Sequence, residues 1–137
     1  MNKTLIYRLL PNEDLKQRII ELAKTNKISA GCIINAVGSL KKATLRTVVT
    51  NNIPQIKVLT EELEIVSVIG TIGKNGSHVH IHISCSNKNG EVFGGHLMPG
   101  CIVKTTVELI ILGFPEYSFL TKDDPATGFK ELDIKLN

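Results

Sequence analysis

His78-Val79-His80-Ile81-His82-Ile83-Ser84, then Asn87-Lys88-Asn89-Gly90, then Glu91-Val92-Phe93-Gly94-Gly95-His96-Leu97, is the stretch on which the fold turns. Its first part alternates strictly. Successive side chains of a strand point to opposite faces, so Val79, Ile81 and Ile83 share one face. His78, His80, His82 and Ser84 share the other. The apolar face must lie on the core, which leaves the histidines facing a groove, an interface or solvent. Asn87-Lys88-Asn89-Gly90 has the residues of a type I turn, Asn at its first position and Gly at its fourth. With the glycine in the left-handed region this is the common three-residue hairpin loop. In that register Asn87 faces Glu91 and His82 faces His96. Phe93 and Leu97 then fall on the face of Val79, Ile81 and Ile83, whereas a slip of one residue would move them off the core. Gly94 and Gly95 either leave room for a ligand beside the histidines or mark a bulge.

Two histidines at i and i+2 stand ~7 Å apart along one strand face. A third on the neighbouring strand lies ~5 Å across. His80, His82 and His96 therefore form a triangle that suits a borderline cation, Zn²⁺ or another divalent transition metal, with one position open for water or substrate. Such a site acidifies bound water or polarises a carbonyl. The competing reading is that the histidines are solvated or packed at a subunit interface. All four histidines of the chain fall between His78 and His96 on one predicted face. His78 sits one step further along and is read as a rim residue or spare ligand.

Outward from the hairpin, Leu5–Leu10 reads as an opening strand ended by Pro11. Asn12 offers a helix N-cap, with Glu13 and Asp14 in the first turn, where the helix dipole favours acids. Leu15, Ile19, Leu22 and Ala23 recur at helical spacing, giving one amphipathic helix over about 13–26. Further strands are expected at Cys32–Val37, ending at Gly38-Ser39, and at Leu45–Thr50. Asn51-Asn52-Ile53-Pro54 is read as a loop. Leu63–Ile72 follows as a strand with a bulge at Gly70, then a turn at Gly73–Gly76. Later strands are expected at Cys101–Leu112 and, after loop signals, at Leu132–Leu136. The class is α+β: one domain over 1–137, with a mostly antiparallel twisted sheet or half-barrel and one main helix.

Composition bounds the function. At 137 residues and 42% hydrophobic, the chain can bury a core without staples. It has no Trp, four Phe and two Tyr, too few stacking platforms for a reader of single-stranded nucleic acid. The net charge of +3 comes from scattered lysines, not a basic stripe. Three cysteines give no paired framework and read as reduced thiols of a cytoplasmic protein. The first residues lack an apolar signal-like core. No apolar run approaches the ~20 residues that span a bilayer.

Three further residues carry chemistry. Glu108, in an apolar strand, is an acceptor that orients a histidine N–H from behind, a general base, or an ion-pair partner of Lys104. Arg46 either clamps a substrate carboxylate bidentately or makes a surface or interface salt bridge. Cys101 is a fourth ligand or a buried structural thiol.

The pattern His80-Ile81-His82, followed by Asn89-Gly90-Glu91-Val92-Phe93-Gly94-Gly95-His96-Leu97-Met98-Pro99-Gly100-Cys101, resembles the central motif of the PPC (plants and prokaryotes conserved) domain. Arg8-Leu9, Asn12-Glu13-Asp14-Leu15, Ala36-Val37-Gly38-Ser39-Leu40 and Glu64–Ile72 also look like its pattern, so the likeness runs from about Tyr7 to Leu112. The resemblance implies a sheet-rich fold assembled as a homotrimer. It also implies a metal held by some prokaryotic members, which carries over to His80, His82 and His96. The fold is similar to that of acetolactate-decarboxylase-like enzymes with a three-histidine zinc site. Stand-alone members are often called DNA-binding by extension from plant proteins, but the Arg-Gly-Arg-Pro core of the AT-hook does not occur here. Two functions are expected to compete. One is a metal site that binds or transforms a small carbonyl or carboxylate compound, by lyase- or hydrolase-like chemistry if it is an enzyme. The other is a DNA-associated or regulatory assembly module with structural histidines.

Overall fold

The computed structural model describes residues 1–50 and 53–137. Nine strands and one α-helix follow in order: β1 (Lys3–Leu9), α1 (Leu15–Thr25), β2 (Ala30–Thr50), β3 (Ile53–Leu59), β4 (Leu63–Gly73), β5 (His78–Ser86), β6 (Val92–Leu97), β7 (Ile102–Gly113), β8 (Tyr117–Asp124) and β9 (Phe129–Leu136). A 3₁₀ turn at Lys74–Gly76 joins β4 to β5. The main sheet runs β1-β7-β2-β4-β5-β6, all antiparallel, with β3 on β2. β8 and β9 form a separate hairpin.

Helix α1 covers one face of this sheet. Leu15, Ile19, Leu22 and Ala23 are buried at the helical spacing read from the sequence. They join a core with Leu5, Leu9, Ile33, Leu40, Ile72, Ile81, Leu97, Val107 and Ile111. At roughly 25 cal/mol per Å² this apolar burial is the main stabilising term.

The helix start differs from expectation. Asp14, not Asn12, is the N-cap: its backbone is extended and its carboxylate accepts from Gln17 N. Asn12 instead lies at φ 73°, and its N–H donates to Val103 O. The carboxylate of Glu13 accepts from Leu10 N, so both acids serve the turn and neither stands in the first helical turn. The Pro11 turn thus needs two more residues before the backbone can enter the helix.

β2 is the main correction. The two strands expected on either side of Gly38-Ser39 are one strand of 21 residues. Its register against β7 shifts between Ile33 and Asn35, Gly38 and Leu40, and Leu40 and Lys42. These irregularities bend the strand instead of ending it. Its first half pairs with β4 and its far end meets β6, at Leu45–Leu97 and Arg46–His96. The sheet therefore curls back on itself without closing into a complete barrel.

Two other strands leave little trace in the sequence. Ile53 and Pro54, expected in a loop, begin β3; Asn51 and Asn52 lie outside the described residues. β3 escapes periodicity because all its residues but Leu59 are exposed. β8 escapes it for a similar reason, being half-buried at best. The bulge expected at Gly70 lies instead between Ile65 and Ser67, and the β4–β5 ladder runs straight through Gly70–Ile81. Glycine is needed there for close approach: a Cβ would lie 2.2 Å from His80 O.

Candidate metal centre

The β5–β6 hairpin has the register expected from its turn: His82 opposite His96, Ile83 opposite Gly95, Cys85 opposite Phe93. Asn87 builds that turn. Its side-chain oxygen accepts from Asn89 N and Glu91 N, and its carbonyl accepts from Gly90 N. Ile81, Ile83 and Leu97 are buried, which fixes the opposite face for the histidines. Gly94 and Gly95 do not bulge. Gly95 faces inward, and a Cβ there would lie 2.7 Å from Arg46 O, so it makes room for β2 and not for a ligand.

His80, His82 and His96 converge. Their ring centroids are 5.1 Å apart for His80–His82, 5.1 Å for His80–His96 and 4.2 Å for His82–His96. One nitrogen from each lies within 4.8 Å of the others, and the Nε2 atoms of His80 and His82 are 3.2 Å apart. Two imidazoles bound to one zinc at about 2.0–2.1 Å with tetrahedral angles place their nitrogens ~3.3 Å apart. The first pair already has that spacing, and one nitrogen of the third ring lies within 4.8 Å of both. The donor set is neutral nitrogen, which suits a borderline cation.

The electrostatics keep His82 and His96 ready as ligands. His96 is held down to about 4, first by burial, then by Arg46, His82, His80 and Lys16. His82 is lowered by burial, then by His80 and Arg46. His78 is lowered by burial, then by His80 and Lys74. A neutral imidazole keeps its lone pair for a metal, so protons compete less well.

Each remaining candidate has a definite place. Arg46 is the cross-strand neighbour of His96, because the bent end of β2 returns to β6. His78 begins β5 and lines the same groove, outside the three-ring cluster. Glu108 is not brought to the histidines. It lies on β7 between Arg8 of β1 and Val37 of β2, and belongs neither to the histidine cluster nor to the lining of the groove beside it. Lys104, its alternative partner, pairs with Glu62 at 2.6 Å. Cys101 is fully buried and its thiol is pushed up to about 11, chiefly by burial. It donates to Thr44 O and accepts from Thr44 N, each at 3.4 Å, and so serves as packing and not as a fourth ligand.

A groove of about 660 Å³ opens beside the cluster, lined by His78, His80, His96, Arg46 and Thr71. Two contributors are absent from the sequence reading. Lys16 enters from α1, and Phe129–Leu132 enter from β9. Lys16 does carry a signal: a cation in the first turn of a helix opposes the helix dipole. The β9 residues carry none, because their placement depends on how the hairpin docks. That docking runs through β8, where Phe119 N donates to Ser29 O and Lys74 Nζ to Thr121 Oγ1.

Known proteins resemble this chain over nearly all its length. Two Synechococcus proteins named bifunctional protein GlmU are each 41% identical over 128 residues, 93% of this chain. The chain spans only 20% of their length. A hypothetical protein from Salmonella enterica superposes at TM-score 0.92 with 30% identity, covering 99% of this chain and 95% of that one. A metal-containing protein from Archaeoglobus fulgidus follows at TM-score 0.81 and 28% identity, covering 95% and 92%. A protein from Bacteroides thetaiotaomicron named as a "putative dna binding protein" shares the fold at TM-score 0.84 and 21% identity, covering 97% and 96%. The sequence profile of the Plants and Prokaryotes Conserved (PCC) domain, the same domain as the PPC domain above, matches residues 1–115, and the chain belongs to that family.

Proposed function

We propose that this protein holds a divalent transition metal, Zn²⁺ first among them, on His80, His82 and His96, and uses it to bind or transform a small carbonyl or carboxylate compound. The observation that carries this reading is the convergence of one nitrogen from each of three histidines within 4.8 Å, on neighbouring strands beside an open groove. A bound metal supplies a Lewis acid that polarises an oxygen or acidifies water. The chain supplies the neutral donors, the groove and the cations beside them. The metal-containing relative from Archaeoglobus fulgidus adds support. If the protein is an enzyme, lyase- or hydrolase-like chemistry fits this arrangement.

We also propose a homotrimer. The face of the sheet that carries the histidines also exposes Ile6, Val37, Val66 and Ile69, an apolar surface that copies of the chain would cover. A DNA-associated assembly module is the competing reading. It draws on the name of the Bacteroides relative, which at 21% identity supports the fold. The net charge of +3 offers little for phosphates.

The test is metal content by elemental mass spectrometry on untagged protein, wild type beside the double variant His80→Ala/His96→Ala. About one equivalent of zinc or another transition metal per chain, lost in the double variant, is expected. Wild type that stays metal-free after incubation with Zn²⁺, Mn²⁺ and Fe²⁺ overturns the reading and leaves salt-dependent DNA binding as the next assay.

A further inference from the structure

Lys16 and Arg46 reach the same groove from different elements. Arg46 arrives on β2 as the cross-strand neighbour of His96, and Lys16 arrives from the first turn of α1. Arg46 and His96 are direct cross-strand neighbours, and Lys16 lines the groove with both.

Among the described residues neither Lys16 nor Arg46 makes an ion pair. Asp14 acts on Lys16 from the helix cap but forms no ion pair with it; its Oδ1 accepts from Gln17 N at 3.1 Å and its Oδ2 from Gly100 N at 2.6 Å. Glu131, which also lines the groove, has Lys122 opposite it across the β8–β9 pair. Both side chains are part-buried, so together they leave positive charge in the groove that an anionic ligand would offset. Met98, Phe129 and Leu132 add apolar surface to the groove's lining.

We propose that Lys16 and Arg46 form a seat for a carboxylate. The ligand of this groove is then a short 2-oxo or 2-hydroxy acid whose carboxylate lies on the two cations while its neighbouring oxygen faces the three histidines. This rests on the metal reading of His80, His82 and His96 and gives it a substrate class. A planar guanidinium matches a carboxylate with two parallel hydrogen bonds, and the lysine adds a point charge. The apolar wall suits a short hydrocarbon tail. Removing either cation takes repulsion away from a bound dication, so zinc retention does not depend on them.

The test uses the full chain, zinc-loaded and chelator-treated, titrated calorimetrically with 2-oxobutanoate, with 2-butanone and with inorganic phosphate. The zinc-loaded protein is expected to bind the acid at least about tenfold tighter than the ketone, and tighter than phosphate. Lys16→Met and Arg46→Gln are each expected to weaken acid binding by about tenfold to a hundredfold. Their zinc content should equal wild type, and Lys16→Arg should keep most of the affinity. Unchanged acid affinity in both variants, or phosphate bound more tightly than the acid, overturns the carboxylate seat. Protein that holds no zinc but still binds the acid through Lys16 and Arg46 would overturn the metal reading and leave the seat standing. Protein that holds zinc and ignores the acid would do the reverse.

Discussion

Replacing Asp14 by alanine should loosen the helix and the groove together. One carboxylate does two tasks. Its Oδ1 caps α1 at Gln17 N, and its Oδ2 accepts from Gly100 N at 2.6 Å across 86 residues of sequence. A lost N-cap costs about 0.5–2 kcal/mol. A lost hydrogen bond to a charged acceptor, which leaves Gly100 N–H part-buried and unpartnered, costs about 1.5–3 kcal/mol. Together the expected loss is about 2–5 kcal/mol. Urea unfolding followed by circular dichroism reads it as a midpoint lowered by about 1–2.5 M, for a slope of roughly 2 kcal/mol/M. Asp14→Asn keeps the acceptor for Gln17 but turns an amide toward Gly100, so about half the loss should remain. Hydrogen exchange at Gly100 should rise in both variants. A loss below about 1 kcal/mol for Asp14→Ala, with Gly100 protection intact, would show that the carboxylate does not bridge the two elements.

His96 gives a pH prediction. Its folded value of about 4 lies below its ordinary 6.5, so the unfolded chain binds more protons between them. Stability of metal-free protein should therefore fall as pH drops from about 6.5 toward 4, and the lowered His82 and His78 act in the same direction. An NMR titration of His96 with its midpoint near 6.5 would contradict this. Gly70→Ala drives a methyl toward His80 O, 2.2 Å away, so we expect about 2–4 kcal/mol of destabilisation and weaker zinc retention; a melting temperature within about 2 °C of wild type would be the contrary result. Light scattering should return the mass of three 15.0 kDa chains, and Ile69→Glu on the apolar face should shift it toward one. A monomeric wild type would remove the trimer.

How much of this is legible in the chain depends on the range of each interaction. The β5–β6 hairpin is, because its turn residues and alternating pattern lie close together and each checks the other. Helix α1 is, because Leu15, Ile19, Leu22 and Ala23 report one buried stripe. Its cap is ambiguous in the sequence, since Asn12 and Asp14 are both good capping residues and only the contact with Gly100 chooses Asp14. β3 and β8 are poorly legible because neither buries a regular apolar face, and of β9 only the Leu132–Leu136 half is read.

The sequence by itself determined the local frame: one amphipathic helix, antiparallel strands, and three histidines brought to one face by a two-residue period and a type I turn. Tertiary structure decided what surrounds them. It kept β2 continuous past Gly38, carried Arg46 back to His96, set Lys16 into the groove, and left Glu108 outside it. The physical reason is that periodicity and turn chemistry act over a few residues. The curl of a twisted sheet and the docking of a helix are settled by contacts between segments far apart in the chain, and no local pattern records those.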